Sequence, residues 1–312
     1  MKTIHIFKVI VLFLFFGFFG ERQLVLAQDS QSKLDTEILC KKIEDLTGTK
    51  GKFDEKEDVF KVSSPRTDVP VSVDGLRLEP FMGLTSWAGF AKDPKKGMML
   101  MGDLVLFQDE VNPVMSVALD NGLEVTALHN HFFYDDPKVF FMHISGRGDV
   151  EELAYAVRKA LDKVKEIRAK SSSPTRNFGG SPVFGKNSIT SQLIENILGV
   201  KGEAKDGMFK VVIGRKTKMP CECEVGKNMG INTWAAFAGS DQQAIVDGDF
   251  AMLESEVQGV LKALREGGIN IVAIHNHMTG ESPRIIFLHY WGVGSTQELS
   301  QVLKNALETQ KL

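Results

Sequence analysis

Apolar positions along this chain fall into three kinds of run, and two of those kinds occur twice in the same order. The first kind is unbroken: Val9 to Phe19 reads VIVLFLFFGFF, preceded by Lys2 and Lys8 and followed by Val25-Leu26-Ala27. A positive start, an apolar stretch too short to span a bilayer comfortably and small residues at its end predict a cleavable export signal over residues 1–27. The residue directly after that point is Gln28 and not a cysteine, so no lipid anchor is expected there. The second kind is spaced for helices. Leu34 to Leu46 and Ile189 to Leu198 predict opening helices, and Val257, Val260, Leu261 and Leu264 form one apolar stripe. That stripe starts at an expected Ser255/Gln258 capping box and stops at Gly267-Gly268. Its counterpart has Asp109 as a cap, Pro113 in the first turn and Asn121-Gly122 at its end. Closing helices are expected after Asp149/Glu152 and Ser295/Glu298. The third kind is rich in β-branched and aromatic residues and predicts short strands.

The repetition reaches individual residues. Phe60-Lys61-Val62 answers Phe209-Lys210-Val211, and Leu84 to Ala91 (LTSWAGFA) answers Ile231 to Ala238 (INTWAAFA). Gly102-Asp103, Glu110-Val111 and Pro137 answer Gly248-Asp249, Glu256-Val257 and Pro283. A period this long is a tandem duplication and not a solenoid. The expected organisation is a first unit over residues 33–170, a Ser/Pro/Gly-rich linker over 171–187 and a second unit over 188–312. Helices and strands mix without strict alternation, so the fold class is α+β, with antiparallel strands flanked by helices in each unit.

Within this duplication the histidines are the most informative residues. His129-Asn130-His131 followed by His143 matches His275-Asn276-His277 followed by His289, offset by 146 positions. The one other histidine, His5, falls in the expected signal. Alternate strand residues share a face, so the first two histidines of each triad project together. With Pro137 and Pro283 at the centres of symmetric hairpins, His131 would face His143 and His277 would face His289. Three imidazoles on one face, with no cysteine partner, suit a transition metal, zinc or copper before magnesium or calcium. The arrangement resembles the ligand geometry of α-carbonic anhydrases, without a shared spacing. The competing reading is that these histidines end a core-facing stripe (Ile269, Ile271, Ala273, His275) and only hydrogen-bond one another.

Around the triads, Glu110 and Glu256 are the candidate catalytic bases, although a carboxylate in a first helical turn is favourable without any function. Asp103 and Asp249 are candidates to orient an imidazole from behind. Trp87 and Trp234 are candidates to line a ligand groove, set against core packing. Met98, Met99 and Met101 have Ala244, Ile245 and Asp247 as counterparts, so they read as packing residues and not copper ligands. Cys40, Cys221 and Cys223 are an odd number of cysteines for an exported chain and read as structural or incidental.

The chain has a net charge of −3 and carries no basic patch interleaved with aromatics, which argues against nucleic acid as a partner. No second apolar span follows the signal, so a secreted or periplasmic protein without a transmembrane span is expected. With the H-N-H triads, the T/S-W-A-x-F-A segments and the G-D pairs assembled, the chain resembles the LppY/LpqO-type family of secreted bacterial proteins, a domain of unknown function. That resemblance covers nearly all of the mature chain and implies no particular activity. The leading expectation is transition-metal binding through the six histidines, with metal-dependent hydrolysis as its enzymatic form and a small-molecule or cell-envelope ligand. The alternative is a metal-free cell-envelope binding module with structural histidines.

Overall fold

The computed structural model describes residues 31, 33–178 and 185–310. The expected signal over residues 1–27, and residues 179–184 of the expected linker, lie outside the described residues. In the first repeat, helix α1 (residues 33–47) leads into β1 (Gly51–Asp54), β2 (Val59–Pro65), β3 (Val71–Val73), β4 (Leu76–Leu78), β5 (Thr85–Asp93) and β6 (Gly97–Phe107). Then come α2 (Gln108–Asp120), β7 (Glu124–His129), β8 (Asp135–Asp136), β9 (Val139–Gly148) and α3 (Val150–Lys170). The second repeat runs through α4 (Ser191–Leu198), β10 (Gly202–Lys205), β11 (Met208–Gly214), β12 (Thr217–Lys218), β13 (Glu224–Val225), β14 (Asn232–Gly239) and β15 (Ala244–Leu253). It ends with α5 (Val257–Glu266), β16 (Asn270–His275), β17 (Ile285–Gly294) and α6 (Thr296–Glu308). The class is α+β, as the mixed pattern predicts.

Twelve of these strands make one antiparallel sheet that passes through both repeats, in the order β1-β2-β5-β6-β9-β7-β16-β17-β15-β14-β11-β10. The repeats join where Leu128 of β7 pairs with Ile274 of β16. Those two residues hold the same position in their respective repeats, so an approximate two-fold axis passes through the pair. Both are buried in one large core, with Leu104, Met142 and Ile144 of the first repeat and Phe250, Leu288 and Tyr290 of the second. Helix residues such as Val114, Val157, Val260 and Leu303 close that core, so the helices cover one face of the sheet. On the other face, two small clusters cover only the flanks. One includes Val71, Leu78, Val105, Phe107 and Phe141, and the other includes Val225, Ile231, Ala251, Ile285 and Phe287.

Two features of the seam were not predicted. Register shifts occur between Val125 and Ala127 on β7 and between Ile271 and Ala273 on β16. Each shift breaks the period of two, so Ile269 and Ile271 stay in the helix-side core while Ala273 and His275 turn to the opposite face. The expected continuous stripe ending in His275 is therefore corrected. At each irregularity a side-chain amide takes the place of a neighbouring strand. Asn112 of α2 donates to Ile271 O at 3.1 Å and accepts from Ile271 N at 2.7 Å. Gln258 of α5 does the same to Val125, donating to its O at 2.9 Å and accepting from its N at 3.0 Å. Gln258 is thus a clamp between repeats and not half of a capping box with Ser255. The box at that turn is made by Glu256, which accepts from Leu253 N at 2.9 Å. Ser295 and Glu298 do form their box, whereas Asp149 caps α3 by accepting from Glu151 N.

The hairpins also differ from the symmetric expectation. His143 faces Ala127, and His129 faces Phe141, a slip of four residues along one strand. An even slip keeps every side chain on its face, so the histidines remain together. The connection is wider than a minimal hairpin because β8 leaves the main sheet to pair with β3, and buried Asp135 accepts from Val139 N at 2.7 Å. Glu281 holds the matching turn by accepting from Ile285 N at 3.2 Å. Both turns contain a cis proline, Pro137 and Pro283. Of the methionine cluster, Met98 is in the core, while Met101 is exposed on the open face.

Asn112 is almost fully buried, so Asn112→Ala removes two hydrogen bonds and leaves the Ile271 N–H and C=O unpaired. Urea unfolding followed by circular dichroism should show a loss of about 2–3 kcal/mol. Asn112→Asp, which keeps an acceptor but no donor, should recover only part of it.

Candidate metal centres

The register that joins the strands also builds the site. Reading across the open face of the first repeat, Trp87 of β5 is beside Asp103 of β6, which is beside His143 of β9, which is beside Ala127 of β7. The second repeat gives the same row, Trp234, Asp249, His289 and Ala273. His129 and His275 lie one pleat along from the alanines, and His131 and His277 follow where β7 and β16 have ended. Small alanines at these positions leave room for the imidazoles on either side. The His129 ring centroid is 5.2 Å from those of both His131 and His143. The second triad matches, with His275 5.1 Å from His277 and 5.0 Å from His289. Each exposed third ring lies flat on a buried phenylalanine, His131 on Phe141 at 3.3 Å and His277 on Phe287 at 3.5 Å. This platform was missed, although a phenylalanine stands two residues before the last histidine of both triads.

In the second repeat the donors converge further. Asp249, His275 and His277 each bring a ligand atom within 4.8 Å of the others. His277 Nε2 is 3.5 Å from Asp249 Oδ2. Asp249 is 3% exposed, and its Oδ1 and His275 Nε2 are buried without a hydrogen-bond partner. Burial pushes the Asp249 carboxyl up to about 7, against the opposing pull of His289. Burial, together with the neighbouring imidazoles, lowers His275 and His277 below the ordinary histidine value, and His129 and His131 shift the same way. Their lone pairs are accordingly free at neutral pH. His289 Nδ1 lies 3.2 Å from Gly248 O. A carbonyl only accepts, so that nitrogen carries the proton and Nε2 keeps the lone pair. In the first repeat, Asp103 is buried with Oδ1 also unpartnered. Its rings have the same spacing, but among the described residues the tighter convergence of ligand atoms belongs to the second repeat.

Other sequence candidates have different surroundings. Glu110 is fully buried and receives Arg66 Nη1 at 2.6 Å, Arg66 Nη2 at 2.9 Å and Phe107 N at 2.8 Å, with Arg168 Nε 2.9 Å away. Glu256 is paired with Arg215 and also receives Leu253 N and Gln310 at 3.2 Å. Carboxylates so engaged hold the β6–α2 and β15–α5 corners together, and the structure does not gather them into the His/Asp set. Arg66 and Arg215 escaped the sequence reading because they lie far upstream of the glutamates, at a spacing different from that of the histidines. Trp87 and Trp234 are half-buried on the open face, with Lys61 Nζ 4.1 Å and Lys210 Nζ 4.2 Å from the respective ring centroids. Cys221 and Cys223 are joined to one another, and Cys40 is a free, half-buried thiol.

The fold and site define a duplicated α+β protein with a His/Asp cluster on an open sheet face. The chain belongs to the family described as Domain of Unknown Function (DUF1259), whose model matches residues 41–163 and again 192–309. No curated protein matches the sequence. The crystal structure of a trimeric bacterial microcompartment shell protein, PduB, is similar at 13% identity, covering 83% of this chain and 89% of that one. Its TM-score is 0.22, and no fold or function is drawn from it.

The raised Asp249 carboxyl has a signed consequence for the metal-free protein. Its folded value, about 7, is above the ordinary carboxylate value near 3.8, so the proton is held more tightly in the folded state. The associated stability is full below pH 4 and is lost as pH rises towards 7, on the order of 2–4 kcal/mol. Asp249→Asn should flatten the metal-free stability curve over that window and raise stability at pH 8, as measured by urea unfolding at each pH.

Proposed function

We propose that this protein is an exported metal-binding protein with one site per repeat, the repeats being residues 33–170 and 188–312 joined by 171–187. The observation that carries the reading is the buried Asp249 carboxylate, whose Oδ1 has no partner although two imidazoles lie within ligand reach. A buried carboxyl with an open lone pair is costly unless a cation completes it, and one carboxylate with two neutral imidazoles suits zinc or copper. Asp249, His275 and His277 hold the ion in the second repeat. Asp103, with His129, His131 and His143, holds a second ion more weakly. This assigns Asp103 and Asp249 to the ion itself, where the sequence had placed them behind an imidazole. The export signal expected over residues 1–27 and the H-N-H segments support membership among the LppY/LpqO-type secreted proteins. Among the described residues, no helix is long and apolar enough to cross a membrane.

The chemistry assigned to the second site is hydrolysis of a small-molecule or cell-envelope ligand. A bound divalent ion supplies Lewis acidity to an oxygen of the ligand. His289, fixed through Nδ1 on Gly248 O, presents Nε2 to accept the proton of the attacking water. The fixed orientation of His289 suits that role, whereas Glu110 and Glu256 have their oxygens occupied by arginine. Trp87 and Trp234 border the two sites on the same face.

Elemental analysis of the mature protein, purified without chelator and after zinc or copper reconstitution, tests the assignment. The expected result is about two equivalents of metal, one tight and one weak, per chain. His275→Ala with His277→Ala should remove the tight equivalent, while His289→Ala should retain it and lose only turnover. A protein that takes up neither metal would leave the alternative, a metal-free envelope-binding module.

A further inference from the structure

The two sites share an inner constellation but differ one pleat away. On β15 and β17, Asp247 pairs with Trp291, next to the Asp249–His289 pair and on the same face. Asp247 is exposed, and among the described residues no cation is paired with it. At the same register in the first repeat, Met101 pairs with Ser145. A carboxylate beside an indole ring is the chemistry that recognises an organic ammonium ion, by charge and by attraction to the ring face. Asp247, His289 and Trp291 also line a cleft of about 420 Å³ whose other walls include Phe140, Ile271 and Val272. The cleft opens where β7 has ended at His129 and β16 continues to Asn270, so side chains from both faces of the sheet reach it.

From this juxtaposition we infer that a small organic cation with an aromatic or short alkyl body binds beside the second repeat's site and not beside the first's. The ammonium group lies between Asp247 and Trp291, and the apolar body enters the cleft against Phe140 and Val272. Two residues along a strand span about 7 Å, which sets the distance from the ammonium to a Lewis-basic group directed at Asp249, His275 and His277. That last contact rests on the metal reading, whereas the ammonium subsite rests on its own residues. Met101 and Ser145 offer neither charge nor a ring, so the first repeat serves as an internal control.

The test is titration of the mature full-length chain, metal-free and zinc-loaded, with benzyltrimethylammonium chloride. Benzyl alcohol and benzoate are the neutral and anionic comparisons, and binding is followed by calorimetry and tryptophan fluorescence. The expected result is one saturable site with at least about tenfold preference for the cation. Asp247→Asn should remove that preference. Asp247→Met with Trp291→Ser, which installs the first repeat's residues, should abolish binding, and zinc content should stay unchanged in both variants. Equal binding of benzyl alcohol, or an unaltered cation affinity in Asp247→Asn, overturns the inference. Zinc uptake without cation selectivity would sink this inference and spare the metal reading. Cation binding without zinc uptake would do the reverse.

Discussion

Everything in this molecule depends on the pairing of β7 with β16. It is a short seam, a single register pair between Leu128 and Ile274, and it falls on the pseudo-two-fold axis. Backbone pairing of that length is weak by itself. Its strength comes from the buried core beneath it and from the Asn112 and Gln258 amides, each of which supplies both a donor and an acceptor to the other repeat. Such side-chain pairing satisfies backbone groups that the irregularities at Val125 and Ile271 leave open. Those irregularities in turn rotate His275 and its counterpart His129 away from the helix-side core. Without them the histidines would follow Ile271 and Val125 into the apolar interior.

The chain treats its buried acids in two ways, and the contrast separates support from chemistry. Glu110 and Glu256 are surrounded by guanidinium and backbone donors, the arrangement expected of a charge that must be neutralised to be buried. Asp103 and Asp249 are buried with an oxygen left open, beside neutral imidazoles, and among the described residues no arginine pairs with either. A fold selected only for stability would replace them with apolar residues. Their presence at the same register in both repeats makes the open oxygens a property of the unit, one that a single poorly packed residue does not explain.

Much of this was legible in the sequence, for reasons that also mark its limits. The duplication, the α+β class and the grouping of the histidines follow from residue identity and a period of two, both of which survive an even register slip. The partner of each histidine did not follow, because β8 leaves the hairpin and moves the pairing of His143 from His131 to Ala127. The face of Ile271 was misread because a β-bulge is invisible to alternation. Glu110 stood as a candidate base against a carboxylate that simply suits a first helical turn, and its partner Arg66 is drawn in through tertiary packing that local pattern does not encode. Asp249 was read as a candidate to orient an imidazole, and its burial is what sequence spacing could not measure. Its position on β15, directly across from His289, brings it to the imidazoles.

Duplication across a two-fold axis also explains how the two halves could specialise without disturbing one another. The residues that join the repeats are reciprocal, so changes there affect both sites together. The residues one pleat outside the His/Asp rows belong to one repeat only, because each is flanked by strands of its own half. Met101–Ser145 and Asp247–Trp291 are such positions, on β6–β9 and β15–β17 respectively. They alter polarity and shape beside an inner constellation that stays the same. The geometry therefore allows the two His/Asp clusters to keep the same donors while their surroundings differ, and it places that difference on the open face.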